Sequence, residues 1–465
     1  MKQKLFGTSG VRGVVNRDLT PETALQIASA VATYTNSGKI VVGHDTRTSA
    51  SMLENSLIAG LLAGGCSVYT LGLVPTPVLA YLTREIKADA GIMITASHNP
   101  PEYNGIKLFN EDSMAFNEEK QKQIEKIIEN KNFRRANWQN IKKETRIDET
   151  YRYMDVIQKT VTLKKKWQIV LDTGNGATSN IAPTLFRKLG CKVTAINSQP
   201  DGFFPGRSPE PNTESLQSLC QIVKQLKADA GIAYDGDGDR MVAVDEKGKI
   251  SPLDQILATY ASHVIKENKG GIVVTTVEAS MCLEKMVKKY NGRIERTKVG
   301  DINVATAVKA HKAIFGGEPC GAWIHPKYHY SPDGILSSIL LLKALEEEGE
   351  EEQKIILSKF VSRAPQYPMI RENVTCPSNI KSKVMSELEK IVDSTFPKVK
   401  EKLTIDGLHI TLENGWVLIR ASGTEPLIRV TVEAESANEA KEIMGKAIKL
   451  VKKLVKEMVK WKQLF

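Results

Sequence analysis

A chain of 465 residues is too long for one ordinary core, and its length fits three or four domains. It is 41% hydrophobic and 25% charged, the content of a soluble globular protein, and no apolar run approaches the roughly 20 residues of a helical membrane span. The formal charge of +10 favours anionic partners, phosphorylated small molecules among them, while the lack of a basic motif with interleaved aromatics argues against nucleic acid. Met1 to Arg12 lacks the apolar core of a signal peptide. The six cysteines (Cys66, Cys191, Cys220, Cys282, Cys320, Cys376) stand far apart with no C-x-x-C pair, so neither a zinc site nor a disulfide framework is expected and a reducing cytoplasm fits.

In chain order, Phe6-Gly7-Thr8-Ser9-Gly10-Val11-Arg12-Gly13 comes first, a loop whose glycines, hydroxyls and guanidinium suit an anion. A helix capped by Thr20, with Pro21 at its first position, is expected to run to about Thr35, and Ile40 to His44 reads as a strand. Three landmarks then occur twice in the same order. Ile40-Val41-Val42-Gly43-His44-Asp45-Thr46 leads to Gly65-Cys66-Ser67-Val68 and then to Lys87-Ala88-Asp89-Ala90-Gly91-Ile92. Ile169-Val170-Leu171-Asp172-Thr173 leads to Gly190-Cys191-Lys192-Val193 and then to Lys227-Ala228-Asp229-Ala230-Gly231-Ile232. A repeated hexapeptide at one place in two ordered series predicts two copies of a βαβαβ unit. From Ile272 to Phe315 the same alternation of strand and helix recurs without the repeated words, as a fainter third copy.

The remainder breaks the pattern. Glu346 to Glu352 reads as a solvated helix end or loop, and Pro365-Gln366-Tyr367-Pro368 as a linker. Beyond it come a helix near Ser382 to Phe396, strands at His409 to Leu412, Gly415 to Ala421 and Leu427 to Ala434, and a long helix from about Asn438. That order is α+β. The amphipathic stretch Lys449 to Lys456 is expected to pack on its own domain rather than lie on a membrane.

The loops after the strands carry the polar residues. Thr95-Ala96-Ser97-His98-Asn99-Pro100-Pro101 follows the apolar run after the first hexapeptide, and the two prolines prevent both a longer ladder and an immediate helix. Ser97 therefore sits on a strand-end loop, where ligands bind in parallel α/β sheets; it reads either as a turn serine or as a nucleophile and phosphate carrier. His98 is expected to shape the loop rather than pair with Ser97, because neighbouring side chains on an extended segment point apart. After the second hexapeptide comes Asp235-Gly236-Asp237-Gly238-Asp239-Arg240, with carboxylates at every second residue and glycines that let the loop bend around one hard cation. An EF-hand needs Gly where Arg240 stands, an aspartyl-nucleophile phosphatase wants Thr or Val where Asp239 stands, and solvated turn acids would repel one another strongly. The third copy ends in Gly316-Gly317-Glu318-Pro319-Cys320-Gly321, whose carboxylate could accept from sugar hydroxyls. Arg420-Ala421-Ser422-Gly423-Thr424-Glu425-Pro426, with Arg429 close behind, offers donors that suit a phosphate dianion. Together the loops ask for phosphoryl transfer on a phosphorylated polyol.

T-A-S-H-N-P, D-G-D-G-D-R, G-E-P-C-G and R-A-S-G-T-E-P, in this order from about Lys4 to the C-terminal helix, resemble the α-D-phosphohexomutase family. The resemblance implies an α/β protein with three similar βαβαβ-type domains, their sheets mixed, around a central cleft, and a smaller C-terminal α+β domain. The expected divisions are 1–147 for the phosphoserine-bearing domain, 148–250 for the metal-binding domain, 251–365 for the sugar-binding domain and 366–465 for the phosphate-binding domain. It further implies that Ser97 carries a phosphoryl group, that Mg²⁺ is held by Asp235, Asp237, Asp239 and an oxygen on Ser97, and that a bisphosphorylated sugar is the intermediate. Arg12 and Lys107 map onto the family's proton-transfer residues, Lys107 serving if cationic neighbours lower its pKa. Thr8, Ser9, Arg240, Gly300, Asp301, Glu318 and Cys320 would contact the sugar phosphate, and Arg420, Ser422, Gly423, Thr424 and Arg429 would hold the phosphate that is not reacting.

The opening F-G-T-S-G-V-R-G and Thr297-Lys298-Val299-Gly300-Asp301 look more like phosphoglucosamine mutases than glucose or mannose enzymes. The alternatives are a phosphomannomutase/phosphoglucomutase of broad specificity and, in another class, a non-catalytic sugar-phosphate sensor. Cys320 stands where the family usually has serine, and Ala322 where histidine often follows; both changes resemble archaeal members, and His325 is a candidate substitute. The partner expected is a phosphorylated hexose, with no nucleic acid and no membrane, and with a homo-oligomer left open. The fourth domain is expected to rotate as a nearly rigid body and close on the substrate.

Overall fold

The computed structural model describes residues 5–7, 10–352, 356–396, 399–422 and 425–463, the side chains at 350–352 and 460–463 excepted. In the first sheet β1 (Val11–Val14), β2 (Lys39–His44), β3 (Ser67–Leu73), β4 (Ala90–Ile94), β5 (Tyr103–Asn110) and β6 (Thr145–Arg146) lie in the order β1-β5-β4-β2-β3-β6. The second holds β7 (Gln168–Asp172), β8 (Lys192–Ile196), β9 (Ala230–Tyr234) and β10 (Met241–Val244) in the order β10-β9-β7-β8. The third holds β11 (Gly271–Thr276), β12 (Gly292–Thr297), β13 (Phe315–Gly317) and β14 (Trp323–Ile324) in the order β12-β11-β13-β14.

One topology recurs in all three. A central strand (β2, β7, β11) has a parallel neighbour on each side, and an antiparallel strand (β5, β10, β14) closes the side of the later neighbour. The repeated hexapeptide does the same work twice. Lys87 and Lys227 turn the chain out of a helix in the left-handed region, with φ of 53° and 50°. Asp89 and Asp229 then accept from the backbone N–H of Lys39 and Gln168, which open the central strands, at 2.7 and 2.8 Å. The faint third copy keeps Lys312 at φ 50°, followed by Ala313, so part of the hexapeptide survives there too.

The fourth sheet is antiparallel, with β15 (Met369–Thr375), β16 (Glu401–Leu403), β17 (Leu408–Thr411), β18 (Gly415–Ala421) and β19 (Leu427–Ala434) in the order β15-β19-β18-β17-β16. Sequence reading misses β15 and β16. Both are edge strands, β15 buries only Val374 fully, and β16 buries no residue fully, so neither shows a buried alternation. The helices Lys381–Thr395 and Ala437–Gln463 cover one face, where Val384, Leu388, Ala440, Met444, Ala447 and Val451 meet Ile428, Val430 and Val432. The apolar stripe of the last helix is thus spent within its own domain. No described helix is long and apolar enough to cross a membrane.

Buried polar contacts join the first three domains. The Tyr153 hydroxyl donates to Asp333 and the Arg84 guanidinium donates to the Tyr328 carbonyl at 2.6 Å, while within the third domain His329 Nε2 lies 2.9 Å from Asp333 Oδ2. The acidic stretch from Glu346 is the end of the helix Gly334–Glu352, and its described acids are engaged by partners as well as partly solvated. Glu346 accepts from the backbone N–H of Lys164 and Lys165 and from Trp167 Nε1, and Glu348, buried, pairs with His263 and Arg363. Charge at the end of one helix here caps the start of another segment.

Candidate active site

In each α/β domain the loop after the later parallel strand carries a candidate site residue. Ser97 follows β4, Asp235 follows β9 and Glu318 follows β13, and all three loops face one cleft. Arg47 shapes the first of them. Only 2% exposed, its guanidinium donates to the carbonyls of Ser97, Asn99, Pro100 and Tyr103 and pairs with Asp45, which also accepts from the Thr95 hydroxyl. The second domain repeats the device with Arg207 on Asp172 and on the Tyr234 carbonyl, just before the acid loop.

The Ser97 loop is tighter than the sequence suggests. Ser97 takes φ 53°, which swings the next ring back and leaves His98 Nδ1 3.2 Å from Ser97 Oγ. The expectation that the two side chains point apart is thus corrected, because it assumed an extended backbone. Burial, then the charges of Arg240 and Arg12, push the His98 ring down to about 3, so it stays neutral. Ser97 Oγ donates to Asp235 Oδ2 at 2.6 Å.

Asp235, Asp237 and Asp239 are buried, and each offers an oxygen within 4.8 Å of the others. The intervening glycines permit this. A Cβ on Gly236 would stand 2.5 Å from the Ser97 carbonyl oxygen, and Gly238, at φ +76°, would bring one 2.4 Å from the Thr178 methyl. Asp235 Oδ1 accepts from the backbone of Gly238 and Arg240, while Asp237 Oδ2 accepts from the Thr76 hydroxyl at 2.6 Å. Lys107 Nζ donates to Asp237 at 2.9 Å and to Asp239 at 2.8 Å. Burial, then the charges of Asp239 and Asp237, push the Asp235 carboxyl well above the usual range. Burial also opposes charge on Asp237, but Lys107 and Thr76 outweigh it and hold that carboxyl low. Asp237 Oδ1 and Asp239 Oδ1 are buried without a hydrogen-bond partner among the described residues. Spare buried carboxylate oxygens beside an uncompensated acid fit a hard divalent cation. The EF-hand alternative fails on geometry, since β10 begins at Met241 and Glu246 turns away to Ser358.

Lys107 departs from expectation. Burial and Arg12 work to lower its pKa, but Asp237 and Asp239 prevail and raise it, so the side chain is held as an ammonium. Arg12, on β1, donates to Asn99 Oδ1 at 3.0 Å.

A cleft of about 750 Å³ is lined by Arg12, Ser97, Asp239, Arg240, Gly300, Asp301, Glu318, Cys320 and Arg429, with Asp235, Asp237 and Lys107 bonded behind them. Glu318 accepts from the Gly300 N–H at 3.0 Å, and burial, then Asp301, pushes its carboxyl up to about 7. Burial likewise pushes the Cys320 thiol up to about 12, which leaves it neutral. Arg420 and Arg429 stand opposite each other on β18 and β19, and Arg371 on β15 shares that face, two residue pairs further along. The turn beside them is braced by Lys381, which donates to the carbonyls of Ser422 and Glu425, and by Ser422 Oγ, which accepts from the Glu425 N–H at 3.1 Å. Thr8, Ser9, Gly423 and Thr424 lie outside the described residues.

His325 does not stand in for the missing histidine. It is buried, bonded to Ser337 at 3.0 Å and edge-on to Tyr260, because β14 turns it into the core; Ala322 lines the cleft instead. Sequence reasoning misses Thr276, Glu278, Val299 and Arg371. Glu278 follows β11, so the strand-end rule could have found it, whereas Arg371 lies on an edge strand with no buried pattern.

Four family models match in succession, all described as phosphoglucomutase/phosphomannomutase: alpha/beta/alpha domain I at residues 3–135, domain II at 151–248, domain III at 252–362 and the C-terminal domain at 373–450. A Pyrococcus abyssi protein described as "Probable phosphoglucosamine mutase" is 44% identical over 454 residues, 98% of this chain and 99% of that protein. A Methanosphaera stadtmanae protein of the same description is 46% identical over 439 residues, 93% of this chain and 95% of that one. The crystal structure of a phosphoglucomutase/phosphomannomutase family protein from Burkholderia thailandensis superimposes with a TM-score of 0.87 at 27% identity, covering 98% of each chain. Fold, order of loops and matches along the whole length agree, and the chain belongs to the phosphoglucomutase/phosphomannomutase family of α-D-phosphohexomutases, which makes it an intramolecular phosphotransferase.

Proposed function

We propose that this enzyme is a Mg²⁺-dependent mutase that interconverts hexose 6-phosphate and 1-phosphate through phosphoserine at Ser97 and a bisphosphorylated sugar, with glucosamine phosphate its preferred substrate. The observation that carries the reading is the Ser97 hydroxyl, 2.6 Å from Asp235 at the point where the serine, acid and sugar loops meet. Relatives at 44% and 46% identity described as probable phosphoglucosamine mutases support the substrate.

Asp235, Asp237, Asp239 and an oxygen on Ser97 would hold Mg²⁺, which supplies charge neutralisation for the transferring group. Phosphoserine donates to the free sugar hydroxyl; the bisphosphate turns end for end and returns its other phosphate to Ser97. The sugar hydroxyl gives up its proton as its oxygen bonds phosphorus, and the Ser97 oxygen takes one up as its own bond to phosphorus breaks; Lys107, held as an ammonium, donates a hydrogen bond at the sugar oxygen, and Arg12, fixed by Asn99, stabilises charge there without acting as a base. Glu318 accepts from sugar hydroxyls, with Gly300, Asp301, Cys320, Arg240, Thr8 and Ser9 completing the cleft. Arg420, Ser422, Gly423, Thr424 and Arg429 hold the other phosphate in both orientations. The roles divide as 1–147 for the phosphoserine, 148–250 for the metal, 251–365 for the sugar and 366–465 for the phosphate. Free cysteines far apart along the chain are consistent with a reducing cytoplasm.

Comparison of kcat/KM on glucosamine, glucose and mannose 6-phosphates tests the preference, which equal values would overturn. Intact-mass analysis should find about 80 Da of added mass, as for one covalent phosphate. Ser97→Ala should remove it and abolish transfer while leaving sugar-phosphate binding in place. Phosphate mapped to another residue would sink the mechanism, and zero turnover by the phosphorylated, Mg²⁺-loaded protein would favour a sensor.

A further inference from the structure

The third domain carries a second cavity, of about 550 Å³, that shares no lining residue with the catalytic cleft. The helices Leu253–Glu267, Cys282–Lys288 and Leu357–Val361 wall it, together with the first residues of the connector to the fourth domain. Among the described residues its lining places Lys266, Lys285, Lys289 and Arg363 around the carboxylate of Glu348. That carboxylate is already committed: Glu348 accepts from Arg363 at 2.6 Å, lies 3.0 Å from His263 Nδ1 and 3.5 Å from Lys266.

Lys285 and Lys289 differ from the rest. Neither has a carboxylate within ion-pair distance among the described residues; Lys285 Nζ reaches the Tyr367 hydroxyl at 3.3 Å, and Lys289 Nζ lies 5.4 Å from the Tyr290 ring centroid. They stand four residues apart around the end of one helix, both beside the cavity. Tyr290 and Pro365 supply aromatic and apolar surface, with Met286 and Phe360 buried behind them. Two ammonium groups with only neutral partners, beside an apolar wall and a space of ligand size, suit a molecule with an anionic end and a ring-sized body.

The position of the cavity suggests what occupancy does. Pro365 lines it, and Tyr367, two residues on, is the partner from which an incoming anion would draw Lys285. Those residues belong to the strap that carries the fourth domain. We propose that this cavity binds a phosphate-bearing small molecule, and that the Lys285–Tyr367 contact passes its occupancy to the fourth domain and so to the affinity for sugar phosphate.

Hydrogen exchange on the Mg²⁺-loaded enzyme, with inorganic pyrophosphate as probe and magnesium in excess of it, tests the proposal. Wild type and the cleft variant R420A/R429A are expected to exchange at least about two-fold more slowly over 282–290 and 358–367 when the probe is added, as for amides held by a ligand. K285A/K289A, changed at two exposed side chains, is expected to keep the wild-type melting temperature and to lose that protection while retaining protection in the cleft. Should the double variant melt early, K285Q/K289Q repeats the comparison with the stems intact. Y367F is expected to keep the protection at 282–290 and to lose the probe's effect on the connector. Protection confined to the cleft, or undiminished in the lysine variants, overturns the site; a probe effect on the connector that survives in Y367F overturns the coupling. None of these readouts depends on which sugar phosphate is turned over.

Discussion

Arg420 Nη1 donates to Glu278 Oε1 at 2.8 Å across the junction of the third and fourth domains, and Arg420 Nε lies 3.3 Å from Asp406. In the proposed mechanism the same guanidinium receives a sugar phosphate, so ligand must replace Glu278. Both partners are about one-third exposed (29% and 35%), so the pair is worth only about 0.2–1 kcal/mol. Removing the competitor should therefore help binding. Glu278→Gln is expected to lower KM for sugar phosphate by up to about five-fold with kcat little changed, since 1.4 kcal/mol is tenfold. A raised KM would instead mean that Glu278 contacts the sugar itself. Arg420→Ala should raise KM and let bisphosphate escape.

The acid cluster yields a prediction about metal. Asp235 has its carboxyl pushed well above the usual range by burial and by Asp239 and Asp237. A group whose folded pKa is raised contributes stability that is full below its unfolded value and lost as pH rises through the folded value. Without Mg²⁺ the protein should accordingly lose stability toward alkaline pH, and Mg²⁺ should restore it by about 2.7 kcal/mol at a hundredfold excess over Kd. Asp235→Asn should raise the melting temperature of the metal-free protein and weaken or abolish the Mg²⁺ shift. An unchanged Mg²⁺ shift in that variant would place the cation elsewhere.

The fold and the meeting of the candidate loops were legible because the candidate residues sit where the fold repeats. Ser97, Asp235 and Glu318 each follow the same strand of the same topology, and two hexapeptides marked two of the three places. The supports were harder to read. Arg47 and Asp45 stand two residues apart, but Arg207 and Asp172 stand far apart in sequence, so only the folded chain reveals one clamp used twice. Ser97 and His98 were misjudged because a left-handed φ at a serine leaves no mark in composition. The charge state of Lys107 had no signal in the sequence because its two carboxylate partners come from another domain. Arg371 lay beyond reach on an edge strand with little burial.

Glu318 supplies the pH dependence. Burial, then Asp301, raises its carboxyl to about 7, while the Gly300 N–H and Arg240 pull the other way. Its neutral form stabilises the fold, fully below the ordinary glutamate value and progressively less as pH climbs through about 7. The shift corresponds to something on the order of 3 kcal/mol at one pKa unit per 1.36 kcal/mol. Glu318→Gln should thus melt higher than wild type above neutral pH and match it in acid. Parallel melting curves for the two proteins across neutrality would show that Glu318 does not titrate there.

The fourth domain is joined by more than its connector. Glu433 on β19, 1% exposed, accepts from the Ser280 hydroxyl at 2.5 Å, the Met281 N–H at 2.7 Å and Trp416 Nε1 at 2.7 Å. Ser280 and Met281 belong to the third domain, and beside them Val277 packs on Trp416 and Leu418. One end of the fourth sheet's open face is thus an anchored patch, and the other carries Arg420, Arg429 and Arg371 toward the cleft. Rotation of that domain as a rigid body would pivot at the anchored end and swing the arginines. Glu433→Ala leaves three donors without their acceptor, at about 1–3 kcal/mol for each group left buried and unpaired. The loss falls on the joint. We expect E433A to show a larger radius of gyration and a broader spread of interdomain distances by small-angle scattering without substrate, and a raised KM. Saturating sugar phosphate should recover the compact form, because its phosphate bridges both sides of the cleft. An E433A protein with wild-type scattering and wild-type KM would remove Glu433 as the pivot, and a wild-type enzyme whose scattering ignores substrate would remove the rotation itself.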